Sequence, residues 1–139
     1  MRVRDLMTVM PFTATRATPV LDARRTMHER RVRHLVVVEE GRLVGIVTDR
    51  DIRLNLPSPA TSLSVWELNH LMAKLTVGEI MTSRVFVVDP DRDAGAAAAI
   101  LLAERIGALP VVYGGQVVGI VTESDFVRAF LAAEPAPAA

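Results

Sequence analysis

The sequence predicts a mixed α/β fold built twice in tandem. Three observations carry that expectation. Val44-Gly45-Ile46-Val47-Thr48 recurs intact as Val118-Gly119-Ile120-Val121-Thr122, at an offset of 74 residues. Applied without gaps, the same offset leaves 16 of 51 positions identical between residues 3–53 and 77–127. Within each copy, residues at helical spacing give way to β-branched runs bounded by glycine. An ungapped match of this length marks a duplication, which governs how every other feature is read.

The copies run in the same order. Val3 to Met7, or Val77 to Met81, reads as one helical turn, followed by a brief extended segment at Phe12 or Phe86. Pro19 sits near the start of a helix in which Val20, Ala23, Met27 and Arg30 share a face. In the second copy Ala94 to Leu102 is almost wholly Ala, Ile and Leu, which predicts a helix buried on most sides. Leu35–Val38 and Leu43–Val47 then flank Glu39-Glu40-Gly41-Arg42, a hairpin-length loop matched by Tyr113-Gly114-Gly115-Gln116. A second helix opens at Thr48 or Thr122. Units of about 50 residues bury too little surface to stand comfortably alone. The copies are therefore expected to pack about a pseudo-twofold axis through their β-sheets.

The expected boundaries are 1–56 and 77–132 for the two domains, 57–76 for a linker and 133–139 for a frayed tail. The linker starts with the breaker cluster Pro57-Ser58-Pro59. Val65, Leu68, Leu71, Met72 and Leu75 then fit one face of a short helix, with Trp66 as its anchor.

Composition bounds the function. The 139 residues are 50% hydrophobic and 23% charged, which argues for a folded core and against disorder. No apolar run approaches the roughly 18 residues of a membrane span. The opening MRVRDLMTVM has neither the apolar stretch nor the cleavage site of a signal peptide, so a cytoplasmic protein is expected. Without cysteine there is no disulfide framework, thiolate metal site or thiol nucleophile.

The formal net charge of zero disfavours nucleic acid as a partner. That zero divides unevenly: residues 1–56 hold 11 bases and 7 acids, and residues 77–139 hold 4 and 8.

The strongest chemical signal is the repeated G-I-V-T-x-x-D. A strand ends at Val47, Thr48 opens a helix, and Asp51 lies three residues on; Thr122 and Asp125 repeat this. The turn between strand and helix directs free amides outward, where they suit an anion. The threonine hydroxyl can bond a phosphate or sugar oxygen, and the aspartate can accept both hydrogens of a ribose diol. The same Thr-x-x-Asp pattern is also a capping box, in which the side chains only satisfy the helix's own amides. The glycine lets a ligand or a neighbouring strand approach the backbone.

A second signal is Arg31-Val32-Arg33-His34 at the junction of the first helix and the strand after it. Complementing the helix dipole accounts for Arg31, which recurs as Arg105. It accounts less well for Arg33 and His34, which face Gly107 and Ala108 in the second copy. Together with Arg50 these two can meet an anion. The three histidines have no metal-ligand spacing, and no catalytic triad, nucleophile elbow or Walker loop is present, so neither a metal site nor an enzyme is expected. Asp89, Asp91 and Asp93 lack the rest of a calcium loop and read as turn and helix-start acids.

The duplication, Leu6-Met7-Thr8 with Ile80-Met81-Thr82, Ala108-Leu109-Pro110-Val111-Val112 and the two VGIVT-x-x-D runs resemble a tandem pair of CBS domains, or Bateman module. The plan is similar to that of acetoin-utilisation-type CBS proteins. The resemblance implies clefts between the copies that take AMP, ADP or ATP as a regulatory ligand, with no obligatory cofactor. S-adenosylmethionine and NAD-type dinucleotides are its alternatives.

The same resemblance assigns ribose and phosphate contacts to Thr48, Asp51, Thr122 and Asp125. It gives phosphate contacts to Arg33 and His34. The adenine would lie against Phe12, Thr13 and Val32, or Phe86, Val87 and Ile106. It implies a homodimer and a change of conformation signalled to a partner protein. Two departures stand out: Val36 replaces the proline found as Pro110, and the second copy lacks junction bases, so the two sites are expected to be unequal. The competing reading is a ligand-free dimerisation module in which both Thr-x-x-Asp boxes are caps alone.

Overall fold

The computed structural model describes residues 1–57 and 62–135. It is a mixed α/β chain with two three-stranded sheets and, among the described residues, six α-helices. Ser58 and Pro59 of the expected breaker cluster lie outside the described residues, as do residues 136–139 of the expected tail.

Residues 12–85 form one compact unit, and residues 1–11 with 86–139 form the other. The units differ from the sequence copies at one place: the opening segment of each copy packs into the unit built on the other.

In the unit of residues 12–85, strand β2 (Thr13–Ala14) pairs in parallel with β3 (His34–Glu39), which pairs antiparallel with β4 (Arg42–Thr48). The helices are α1 (Val20–Arg30), α2 (Asp49–Asn55), α3 (Val65–Lys74) and α4 (Val77–Ile80). Val20, Ala23 and Met27 bring the apolar face of α1 onto Leu35, Val37 and Val47. Ile52 of α2 and Val77 and Ile80 of α4 complete the core.

In the other unit β1 (Thr8–Val9) pairs with β6 (Gln116–Thr122), which pairs with β5 (Ala108–Tyr113). Here α5 (Ala94–Glu104) and α6 (Glu123–Ala133) accompany the sheet, and a 3-10 turn at Val3–Asp5 opens the chain. Val3, Val88, Ala97, Leu101, Leu109, Val111 and Val121 are its core.

The exchange of openings explains the repeated glycine. A Cβ on Gly45 would meet Met81 Sδ at 2.7 Å and the Thr82 carbonyl at 2.9 Å. One on Gly119 would meet Met7 Sδ and the Thr8 carbonyl, both at 2.9 Å. The Met-Thr pair of each opening thus lies flat on the other copy's glycine. Backbone bonds between Ile46 and Thr82, and the Thr8↔Ile120 register, hold it there.

Val36 and Pro110 shape the first strand of each unit differently. Thr13 and Ala14 sit beside Val36 and Val37 in two successive rungs, but the second copy keeps only the bridge of Val88 to Val111. Val88 donates to the Pro110 carbonyl, so residue 110 faces this segment. Proline has no amide hydrogen for the missing rung, and Val36 does.

Two expectations about apolar residues are corrected. Helix α5 buries Ala94, Ala97 and Leu101 but leaves Leu102 82% exposed, because it meets its core along one stripe rather than most of its surface. Helix α3 has the expected length, yet of its residues only Met72 is buried, and Trp66 is exposed and stacked on the His70 ring instead of anchoring the helix. The acids behave as turn and cap residues: Asp89 accepts from the Asp91 amide, Asp93 caps α5, and Asp91 pairs with Arg2 and Arg4.

Candidate functional site

In the unit of residues 12–85 the start of β2, the start of β3 and the end of β4 lie at one end of the sheet. Parallel pairing puts Thr13 beside Val36, and antiparallel pairing puts His34 beside Thr48. Helix α1 ends next to this edge at Arg30. The junction residues Arg31, Val32 and Arg33 lead from it into β3, while Thr48 leads from β4 into α2.

The turn at Thr48 is a closed capping box. The Asp51 amide donates to Thr48 Oγ1 at 3.0 Å, and the Thr48 amide donates to Asp51 Oδ2 at 3.0 Å. The Asp49 amide donates to the Arg33 carbonyl at 2.9 Å. The expectation of free amides at this turn is therefore corrected for three of them: those of Thr48, Asp49 and Asp51 are bonded within the protein. What these three leave to a ligand is chiefly side-chain chemistry. Among the described residues, Asp51 Oδ1 has no hydrogen-bond partner, so this half-buried carboxylate keeps acceptor capacity in reserve.

The other first-copy residues lie on the elements that meet at this end of the sheet. Arg33 and Arg50 are exposed, and His34 is half-buried at the first position of β3. Phe12 and Thr13 are exposed, whereas Val32 is half-buried and packs on the core. Arg30, expected only as part of the α1 face, places its guanidinium 5.2 Å from the centroid of the Phe12 ring, within cation–π range. Arg31 has φ 54°, and its matched residue Arg105 also has φ 54°. Both close their helices in the left-handed conformation that glycine usually takes. That backbone position favours glycine and does not itself select arginine.

The second copy repeats the frame with different furniture. The Thr122 amide and hydroxyl both donate to Asp125 Oδ2, at 2.8 and 3.3 Å, and the Glu123 amide donates to the Gly107 carbonyl at 3.0 Å. Ala108 stands beside Thr122, where the first copy sets His34 beside Thr48. Phe86 and Val87 are exposed and Ile106 packs on the core, as their counterparts do. Asp125 differs from Asp51: it is buried, and Arg128 donates to its Oδ1. That spacing of three residues is legible in the sequence as a helical pair.

The model of the CBS domain family matches residues 3–58 and 77–132. Among solved structures, AcuB from Vibrio cholerae is similar to this chain with a TM-score of 0.80 and 30% identity, over 97% of this chain and 98% of that one. The CBS domain pair of protein MJ0100, in complex with 5'-methylthioadenosine and S-adenosyl-L-methionine, gives 0.77 and 30% over 94% and 99%. CBSX2, from Arabidopsis thaliana, gives 0.77 and 33% over 94% and 96% in its complex with AMP. The first three curated relatives are 30–33% identical, and the matched region spans 46%, 23% and 42% of their length.

Proposed function

The chain belongs to the CBS domain family as a tandem pair, and from that premise we propose that it is a non-catalytic regulatory module that senses an adenosyl ligand. AMP, ADP or ATP is the ligand class, and the Thr48–Asp51 turn of the first copy is the principal site. The observation that carries this reading is the Asp51 oxygen left without a partner among the described residues, on a turn that pairs with His34, bonds the Arg33 carbonyl and carries Arg50. A carboxylate with free lone pairs suits a ribose diol, and the bases suit phosphate. The complexes of CBSX2 with AMP and of MJ0100 with adenosyl compounds support the ligand class.

In this reading Phe12, Thr13 and Val32 line the adenine side of the first site. Phe86, Val87 and Ile106 line the second, where Thr122 and Asp125 hold the ribose. The ligand acts by binding one arrangement of the protein better than another, and a cytoplasmic effector protein reads the difference.

Thermal melting with AMP, ADP, ATP, S-adenosylmethionine and NADH tests the proposal. A rise with an adenine nucleotide that Asp51→Ala removes is expected. A rise confined to S-adenosylmethionine or NADH would change the ligand and keep the site. A flat response to all five would favour a dimerisation module, for which the exposed Leu102, Val127, Phe130 and Leu131 are the supporting observation.

A further inference from the structure

We infer that Arg128 decides which of the two sites is open, by occupying the carboxylate that a ligand in the second site needs; this rests on the sensor reading above. Asp125 and Asp51 stand at matched positions, yet their acceptors are spent differently. Asp125 Oδ2 takes two bonds from Thr122, and Oδ1 takes the Arg128 guanidinium. A carboxylate offers about four lone-pair positions. Three are filled in the second copy, which leaves one for a diol that brings two hydrogens. Among the described residues Asp51 spends one, on the Thr48 amide.

Burial agrees with the bonding. The Asp125 side chain is 6% exposed beneath an Arg128 side chain that is itself 68% exposed. Asp51 is only half-buried. The residue matching Arg128 at the repeat offset is Leu54, which is 71% exposed and has no hydrogen to donate. The second copy therefore carries an internal cation where the first leaves its carboxylate open. Because the arginine arm is 68% exposed, a ligand can displace it, at reduced affinity.

The test exchanges the two residues in the full chain and titrates AMP by calorimetry. The unmodified protein is expected to show one strong site per chain. R128L is expected to strengthen the second site about tenfold, and L54R to weaken the first by a similar factor. In a D51A background, R128L should restore measurable binding through the second copy. If the unmodified chain binds AMP but R128L and L54R leave its isotherm unchanged, the inference falls and the sensor reading stands. If R128L weakens the second site, Arg128 is a ligand contact and the inference also falls. If none of these proteins binds AMP, the AMP reading falls and takes the inference with it.

Discussion

The Asp49 amide donates to the Arg33 carbonyl at 2.9 Å, which ties the first turn of α2 to the basic junction before β3. Glu123 and Gly107 make the matched bond at 3.0 Å. The frame is the same in both copies, and the side chains mounted on it are not. The bond fixes the backbone of Arg33 while its side chain stays exposed. Arg33→Ala should therefore weaken ATP several-fold more than adenosine in parallel titrations, since only ATP offers a charged partner. Equal losses for both would remove its phosphate role.

Thr48 serves the fold before it serves any ligand. Its hydroxyl accepts the Asp51 amide, so Thr48→Ala should cost about 1 kcal/mol in denaturant unfolding of the ligand-free protein. An unchanged midpoint would mean that the box does not hold α2.

Gly45 has no room for a side chain. Gly45→Ala sets a methyl group against the backbone oxygen of Thr82 as well as the Met81 sulfur. The sulfur can move, but the carbonyl is held by its bond from Ile46. The substitution should destabilise the protein by about 1–3 kcal/mol, read as a lower melting temperature. An unaltered melt would contradict the close packing of the exchanged opening.

Glu40 is a stabilisation target. It has φ 53° in the loop between β3 and β4, and its neighbour Gly41 has φ 78°. The second copy places Gly114 and Gly115 in the same two positions, at 58° and 78°. Tight hairpin turns of this kind favour Asn-Gly. Glu40→Asn should stabilise by about 0.5–1 kcal/mol, and a lower melting temperature would count against the turn assignment.

Much of this was legible in the sequence because the duplication allowed each residue to be compared with its counterpart. The order of the main helices and hairpins and the Thr-x-x-Asp boxes follow from local spacing. The exchange of openings does not, because nothing at Met7 or Met81 says which glycine it will cover. Burial of α5 and α3 was overestimated for a related reason: composition says how apolar a helix is, not how many neighbours it meets. Arg30 over Phe12 is a contact between residues 18 positions apart and leaves no local signature. Arg128 beside Asp125 was within reach, since its spacing is helical and its counterpart Leu54 is uncharged.

The central claim is that the first copy binds AMP, the simplest of the proposed nucleotides, through Asp51. Calorimetric titration of AMP into the full chain and into Asp51→Ala, with both proteins first shown to be folded by melting, tests it most directly. Binding by the unmodified chain that Asp51→Ala reduces at least about tenfold is the predicted result. Equal binding by both proteins, or none by the unmodified chain, would contradict it.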